Sequence, residues 1–379
     1  LSILIGNLLS FCVFVFADQL SEILKIPPLL IKLGVITGFP FAIYNYYLSY
    51  LQASKQSHFV SKLTIVFSLC GTLFTVLFML LLENERYYAK AYSHIISVGI
   101  LVIVTFWFLS SNYKLILQIK YIKYGLSFGI PIVVHDLSQI ILSSFDQIII
   151  NQIVGEVETG LYSVAYKIGI IISVISLGFL KSYTPIFYAK LNEAKHDDIN
   201  NLAVKYSYIV MFVAILLIVF SNELLILLTN KNYYSVHSLI SIVVLSYYFH
   251  FIYTIYVNYL FYYKATKRIA YITLLVGVFN IVLNYVFIPK FGYEAAAWTT
   301  LISYILMVIA HYINVRSLVN PNELVSLRSF IMPTLMVVVS ILVILFIEKN
   351  SSIAIIYSVK FLVIISSLII VSKNLKKHA

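Results

Sequence analysis

Twelve apolar stretches follow one another along this chain, and each is about as long as a helix that crosses a lipid bilayer. Such a helix needs roughly 20 predominantly apolar residues. The polar segments between the stretches are short, and none is long enough to fold as a soluble domain. The pattern predicts twelve spans, at about residues 1–17, 33–53, 58–82, 88–110, 121–152, 158–187, 207–229, 236–262, 268–288, 293–315, 327–347 and 352–372.

Composition identifies the solvent of these stretches. Hydrophobic residues make up 61% of the chain, charged residues make up 11%, and the mean hydropathy is +0.96. A water-soluble core cannot cover so much apolar surface, whereas lipid solvates it. The sequence therefore predicts an all-α, polytopic membrane protein.

Lysine and arginine residues lie mostly between the predicted spans, and their density alternates from one connection to the next. The poorer set of connections holds Lys25, Lys32, Arg86, Lys90, Lys231, Lys290 and Lys349, the richer set holds 17 basic residues, and Lys167 and Lys360 lie inside spans. Because connections rich in Lys and Arg face the cytoplasm, we expect both ends of this chain to be cytoplasmic. The net charge of +11 is then mostly a topology signal, and no nucleic-acid partner is expected.

Motifs of several enzyme classes do not occur in the sequence. Neither GxxxxGK[ST] nor HExxH is found, so nothing indicates an ATP-driven pump or a zinc protease, and no cofactor or metal is predicted. Cys12 and Cys70 lie in apolar runs, which favours packed thiols over a disulfide. The longest connection, about 188–206, is interpreted as a short cytoplasmic linker with solvated charges.

The polar residues of the span near 126–150 form a stripe. At 100° per residue, Asp136, Gln139, Ser143 and Asp146 fall within about 80° of one another, and His135 lies beside them. Ionisable residues inside a bilayer usually face a polar interior. The stripe therefore either lines a hydrated cavity or bonds neighbouring helices. His135, Asp136 and Asp146 are candidates for coupling transport to a proton or another ion.

Lys167 lies in the next span, and the turn between the two spans is short. Asp146 and Lys167 are equally far from the middle of that turn, so they should lie at similar depth. We expect the two side chains to face one cavity and to pair, because pairing lowers the cost of burying both charges. The alternative is that Lys167 extends to the lipid headgroups.

Two further segments combine tyrosines with amides. Asn45 and Gln52 share a face of the span at 33–53, and the span at 236–262 holds His250, Tyr256 and Asn258. Flat amphipathic rings suit sugar faces, although most tyrosines of a membrane protein form the interfacial belt. We expect Asn45, Gln52, Tyr256 and Asn258 to contact substrate, and His250 to be a packed histidine.

Three segments resemble the polysaccharide transporter family, the Wzx-type flippases of the multidrug/oligosaccharidyl-lipid/polysaccharide superfamily. They are YGLSFGIPIVVHDLSQIILSSFDQIIINQIVGEVETGLYSVAYKI, ELLILLTNKNYYSVHSLI and NIVLNYVFIPKFGYEAAAW. The last resembles the family pattern N-x-x-x-N…I-P-x-x-G, with Asn280, Asn284, Pro289 and Gly292 in place. Ala295 stands where a glycine is common.

The resemblance implies an architecture and a function. The architecture is a partial first bundle at 1–117, a six-helix bundle at 118–316 and two further helices with a basic tail at 317–379, with two helices of the family plan expected before Leu1. The implied function is movement of an undecaprenyl-pyrophosphate-linked oligosaccharide across the bacterial cytoplasmic membrane, without covalent catalysis. Lys167 is then the best cation for the pyrophosphate, and Asn280 and Asn284 join the expected substrate contacts.

Two rival functions stay open at the level of sequence. A drug or metabolite antiporter of the same superfamily would share the architecture. A polysaccharide polymerase or ligase is the enzyme alternative, but such enzymes typically carry a large external loop. The expected partners are the lipid-linked oligosaccharide, membrane lipids and a polysaccharide polymerase complex.

Overall fold

The structure is a computed structural model that describes residues 10–54, 56–83, 85–112 and 119–377. These residues form helices and turns, which confirms the all-α prediction. The α-helices are α1 (Ala17–Leu24), α2 (Pro28–Ala53), α3 (Ser57–Leu81), α4 (Ala89–Asn112), α5 (Ile119–Ile153), α6 (Glu156–Gly169), α7 (Ile171–Asn192), α8 (His196–Val219), α9 (Ser221–Leu228), α10 (His237–Tyr262), α11 (Thr266–Phe291), α12 (Ala295–Arg316), α13 (Arg328–Asn350) and α14 (Ile353–Lys377). Single 3₁₀ segments cover Arg86–Tyr88, Lys231–Val236 and Pro321–Glu323.

Ten segments of the described chain are long and apolar enough to cross a membrane. They correspond to ten of the twelve predicted spans, so a multi-pass membrane protein is confirmed and the count of twelve stays a prediction. Of the other two, the span predicted at 1–17 lies largely outside the described residues, and the one at 88–110 coincides with α4.

The chain divides into two compact units, residues 1–126 and 127–379. In the first unit, α4 packs against both α2 and α3. The hydroxyl of Ser93 on α4 donates to the carbonyl of Gly71 on α3 over 2.6 Å, and Tyr44 and Tyr47 of α2 are buried. The boundaries predicted at 117 and 316 remain predictions.

The second unit is built around α10, which is apolar on all sides. A helix of this kind belongs inside a bundle rather than at its surface. It packs against α12, α6, α8 and α7, while α8 also contacts α13 and α14. Gly169 marks the closest approach of α6 to α10, because a Cβ at this position would lie 2.4 Å from Cγ1 of Val243.

The span predicted at 158–187 corresponds to one segment, Glu156–Asn192, whose helix is interrupted at Ile170 between α6 and α7. Two other predicted features of this region are corrected by the structure. The span at 207–229 is instead α8, which begins at His196 and ends at Val219 before the short α9. The linker at 188–206 is wrong, because only residues 193–195 separate α7 from α8.

Charge pairing explains why the charged sequence is helical there. Lys190 at the end of α7 lies 2.6 Å from Asp198 at the start of α8, and Lys195 lies 2.7 Å from Glu193. The Lys195 ammonium lowers the pKa of the Glu193 carboxyl. Acidic residues in a first helical turn and basic residues in a last turn also complement the helix dipole. The polar composition of this segment was therefore not sufficient evidence for a linker.

Candidate functional site

The most buried carboxylate of the described chain is Asp146, whose side chain is fully enclosed in the second unit. Its Oδ1 accepts a hydrogen bond from Nδ2 of Asn284 over 2.6 Å. Its Oδ2 accepts from the hydroxyl of Tyr162 over 2.7 Å and from the hydroxyl of Thr300 over 2.6 Å. Three neutral donors on three other helices therefore hold this carboxylate.

Two of these helices extend the network beyond Asp146. Asn284 also donates to Oδ1 of Asn280 over 3.2 Å, and both residues lie one turn apart on α11. Nδ2 of Asn280 donates to Oγ of Ser303 over 3.2 Å, and the hydroxyl of Thr299 donates to Oδ1 of Asn284. All the members are buried. The amides of α11 thus bond the start of α12 and fix the donors around Asp146.

An enclosed carboxylate without a cation beside it has a particular chemistry. Burying an ionised carboxylate is expensive unless donors or a counter-charge compensate. Asp146 has donors but no counter-charge, because no ion pair formed by the described residues includes it. A proton or a small cation can supply that charge. The arrangement is suited to reversible binding of a cation.

Lys167 is not the partner of Asp146, contrary to the sequence prediction. It is exposed, whereas Tyr162, on the same helix, faces Asp146. Five residues separate the two, a rotation of about 140° around the helix axis. The prediction used depth alone and left out this rotation.

Lys167 instead begins an exposed stripe that continues past the break between α6 and α7. The stripe contains Lys167, Ile171, Val174, Gly178 and Lys181, which are all exposed and share one helix face. No carboxylate of the described chain lies in salt-bridge reach of either lysine. We call this the lysine face.

The predicted polar stripe of α5 is divided between different neighbours. Nδ1 of His135 lies 2.8 Å from the hydroxyl of Thr273 on α11, and Nε2 of Gln139 donates to the hydroxyl of Tyr253 on α10 over 2.7 Å. Ser143 bonds within its own helix, to the carbonyl of Ile140. Asp136 is exposed. Gln139 and Asp146 of the stripe, and His135 beside it, therefore bond neighbouring helices, which was one of the two sequence interpretations.

The predicted substrate contacts fall into two groups. Tyr256 and Asn258 are buried: the tyrosine hydroxyl donates to the carbonyl of Val325 over 3.2 Å, and Oδ1 of the amide accepts from Thr184 over 2.9 Å. In the first unit, Asn45 is exposed and its Nδ2 donates to the carbonyl of Phe41. The side chain of Gln52 lies outside the described residues.

Lys360, the second lysine that lies inside a predicted span, is also buried. Nζ of Lys360, on α14, is 2.9 Å from Oε1 of Glu223 and 3.1 Å from Oε1 of Glu348. Nε2 of His237 lies 3.7 Å from Oε2 of Glu348. Only 3% of Lys360 is exposed. We call these four residues the Lys360 cluster.

Sequence reasoning missed several of these residues. Tyr162 and Thr300 were not singled out, although Tyr162 lies inside the quoted GLYSVAYKI motif and a threonine near a span end is a common donor. Glu223 and Glu348, which lie near the ends of their helices, were not singled out either. No group of three or more metal-binding side chains is found in the described ranges.

Sequence comparison assigns the family. The profile of the family described as Polysaccharide biosynthesis protein matches residues 1–197, just over half of the 379 residues. The chain belongs to this family. The profile of the MatE family matches residues 131–286, which include Asp146, Lys167 and Asn284. The predicted resemblance to polysaccharide transporters is confirmed.

Two relatives come from Haemophilus influenzae. Lsg locus putative protein 1 is 22% identical over 234 residues, which cover 60% of this chain and 58% of that protein. An uncharacterized membrane protein is 28% identical over 154 residues, 40% of this chain and 38% of that protein. The chain thus spans less than two thirds of the length of either relative.

Solved structures share the fold at low identity. The lipid II flippase MurJ, in an inward closed conformation, matches 99% of this chain and 81% of its own, with a TM-score of 0.70 and 14% identity. An outward-facing multidrug resistance MATE family transporter of the MOP superfamily matches 85% of this chain and 78% of its own, with a TM-score of 0.63 and 13% identity. The fold is that of these transporters.

Proposed function

We propose that this protein moves oligosaccharides linked to undecaprenyl pyrophosphate from the cytoplasmic to the outer leaflet of the bacterial cytoplasmic membrane. Membership of a polysaccharide biosynthesis family and a transporter fold support this proposal. The observation that carries it is the lysine face. An ionisable residue inside a span is costly and by default a candidate for a substrate pathway, and Lys167 is exposed and has no carboxylate in salt-bridge reach among the described residues.

The chemistry of the substrate fits this face. A pyrophosphate esterified at both ends is a compact dianion, and lysine binds phosphate as a strongly hydrated point charge. Lys167 and Lys181 lie on one face with apolar residues and a glycine between them. In the proposal, Lys167 contacts the pyrophosphate and Lys181 attracts it along the same face.

Asp146 has a different role in this proposal. It is enclosed and cannot touch a sugar in this conformation, so we assign it to ion coupling, with Asn280 and Asn284 holding it rather than binding substrate. Protonation would remove the charge from the buried site and shift the balance between two conformations. Alternating access then moves the substrate without covalent catalysis. Asn45 and Gln52 stay predicted substrate contacts, and Asp136 and His135 stay predicted coupling residues.

Deletion of the full-length gene in its native host tests the proposal. We expect loss of surface polysaccharide and accumulation of the lipid-linked oligosaccharide in the cytoplasmic leaflet. Complementation by Lys167→Ala should restore at most a tenth of the export, and Lys167→Arg should restore part of it, because arginine keeps the charge. Lys290→Ala, which removes an exposed lysine at the end of α11, is the matched control. Normal export by Lys167→Ala at equal expression contradicts the proposal.

The antiporter remains the second candidate, and the MatE match over 131–286 favours it. An exposed carboxylate such as Asp136 would suit a cationic substrate. Two results together would establish this function instead. Proteoliposomes that contain the protein would accumulate ethidium when a pH gradient is imposed, and deletion of the gene would leave the surface polysaccharide unchanged. A partnership with a polysaccharide polymerase complex is a further prediction, and affinity purification with the neighbouring gene products tests it.

A further inference from the structure

A column of tyrosines and histidines runs through the second unit and ends at Asp146. Beyond the bond between Tyr162 and Asp146, the ring of Tyr162 lies 5.9 Å from that of Tyr166. The hydroxyl of Tyr247 donates to the hydroxyl of Tyr166. The ring of Tyr247 lies 5.8 Å from that of His250. The rings of four further side chains thus connect α10 with Asp146 on α5.

The column continues on the other side of His250. The ring of Tyr253 lies 4.9 Å from the ring of His250 and 5.6 Å from the ring of His311. The ring of Tyr304 lies 5.1 Å from the ring of His250. Apart from the partly buried His250, every member named is buried. The column therefore follows α10 and α12 through the interior of one bundle.

The column has a direction relative to the membrane. Asp146 lies seven residues before the end of α5, or about 10 Å along the axis, and His311 lies 16 residues into α12, or about 24 Å. Both distances start from the end of the bundle that the Lys and Arg pattern predicts to face outward. The column thus covers roughly 14 Å of depth towards the predicted cytoplasmic side.

The imidazoles of this column have ring nitrogens that no protein group satisfies. Nδ1 of His250 and both ring nitrogens of His311 are buried and have no hydrogen-bond partner among the described residues. A neutral imidazole always carries one N–H donor and one acceptor. Buried polar atoms of this kind call for an explanation by function or by water.

We propose that this column conducts protons between the predicted cytoplasmic side and Asp146, with His311 and His250 as the relay groups. Histidine and carboxylate chains carry protons in membrane pumps, and water bridges gaps between hydroxyls and imidazoles. The inference rests on the coupling role proposed for Asp146. His135 faces the column from α5, and its Nδ1 contact with Thr273 makes it a side group.

Other polar groups near the column do not offer an equivalent route. Asn280 and Asn284 on α11 bond Asp146 but do not titrate, and Asp136 is exposed at the opposite end of the α5 stripe. Gln139 bonds the hydroxyl of Tyr253 and so fixes it between the two imidazoles. The histidines are therefore the groups that can accept and release a proton along the column.

The test measures protonation of Asp146 without any transport substrate. The full-length protein is reconstituted in liposomes, the pH is stepped on both sides, and the infrared band of the protonated carboxyl is followed in time. Asp146→Asn identifies the band by removing it. We expect the double variant His250→Phe, His311→Phe to slow the appearance of the band at least tenfold, with each single variant intermediate.

Tyr183→Phe is the matched control, because Tyr183 is buried, its hydroxyl is also unpartnered, and it lies outside the column. In this variant the carboxyl band should appear at the same rate as in the unchanged protein. If the double variant is misfolded, His311→Gln provides a polar replacement that should still slow the band. Equal rates in the relay variants overturn the proposal, as does a band that does not respond to pH in the unchanged protein. A band that is slowed in the relay variants, in a protein whose gene deletion leaves export unchanged, would instead contradict only the proposed function.

Discussion

Two buried charges in the second unit, Lys360 and Asp146, differ in the kind of group that surrounds them. Lys360 is held by the carboxylates of Glu223 and Glu348, with His237 beside them, and its charge is compensated by charge. Asp146 is held by an amide and two hydroxyls, and its charge is not compensated at all. The Lys360 cluster joins α9, α10, α13 and α14, whereas the Asp146 site joins α5, α6, α11 and α12.

We infer from the difference that the Lys360 cluster is structural and that the Asp146 site serves the proposed coupling. In an ion cluster each charge compensates another, so removing one charge leaves another uncompensated. A carboxylate among neutral donors keeps two accessible states, with and without a bound cation. We therefore expect the Lys360 cluster to respond to mutation mainly in stability, and the Asp146 site mainly in transport.

The largest expected loss of stability comes from Lys360→Met. This change leaves two carboxylates facing each other in a mostly buried site, and breaking a buried pair in this way costs about 3 kcal/mol. Unfolding in mixed micelles measures it. Lys349→Met, at an exposed position one residue from Glu348, should change stability by less than about 0.5 kcal/mol.

A combined variant sharpens this comparison. If compensation of charge is the cause, Lys360→Met together with Glu223→Gln and Glu348→Gln should recover more than half of the loss. A triple variant as unstable as Lys360→Met alone would show that packing of the lysine side chain, and not its charge, holds α14.

The second largest expected effect is that of Asn284→Leu. The leucine removes the donor of Asp146 Oδ1 and leaves that oxygen buried, which costs about 2 kcal/mol. Asn280→Leu is the matched change one turn earlier and should cost less, because Asn280 has no direct bond to Asp146. Unfolding in mixed micelles again supplies the measurement. Equal losses would mean that the bonded pair of Asn280 and Asn284 stabilises the bundle as a unit, and not through the bond to Asp146 alone.

The sequence predicted some of these features and missed others for a geometric reason. Spans and the all-α class follow from hydrophobic runs, and the choice of Asp146 as a candidate follows from the rarity of charges inside them. The partner of Asp146 depends on which face of a helix meets which neighbour. Asp146 lies seven residues before the end of α5 and Lys167 lies eleven residues into α6, so Lys167 is about one turn too deep as well as on the wrong face. Tyr162, six residues into α6, takes its place.

Long-range contacts set a second limit on sequence reasoning. Asn284 and Thr300 lie 138 and 154 residues from Asp146, so no local pattern joins them. The Lys360 cluster brings together residues from four helices in the same way. Asn284 was reached only through a family resemblance, which indicated its importance and suggested a different role.

A smaller loss of stability is expected for Thr300→Val. Valine keeps the shape but removes one of the two donors of Oδ2, so Tyr162 alone remains there, and the cost is about 1 kcal/mol. Thr299→Val, at the neighbouring position, removes a donor of Asn284 rather than of Asp146 and is the control. A loss that is larger for Thr299→Val than for Thr300→Val would show that the bonds to the amide of Asn284 stabilise the site more than the bonds to the carboxylate of Asp146.

The smallest effect on stability is expected at the centre of the site itself, for Asp146→Asn. The replacement has the same shape, its oxygen can keep the bond from Asn284, and its amide can donate to the hydroxyls of Tyr162 and Thr300, which then act as acceptors. The free energy of unfolding should therefore change by less than about 1 kcal/mol. Export should nevertheless fall to the level of the gene deletion, because the replacement amide cannot exchange a proton or hold a cation. A variant that loses stability as much as Lys360→Met would place Asp146 among the structural charges, and one that exports normally would remove it from the coupling mechanism.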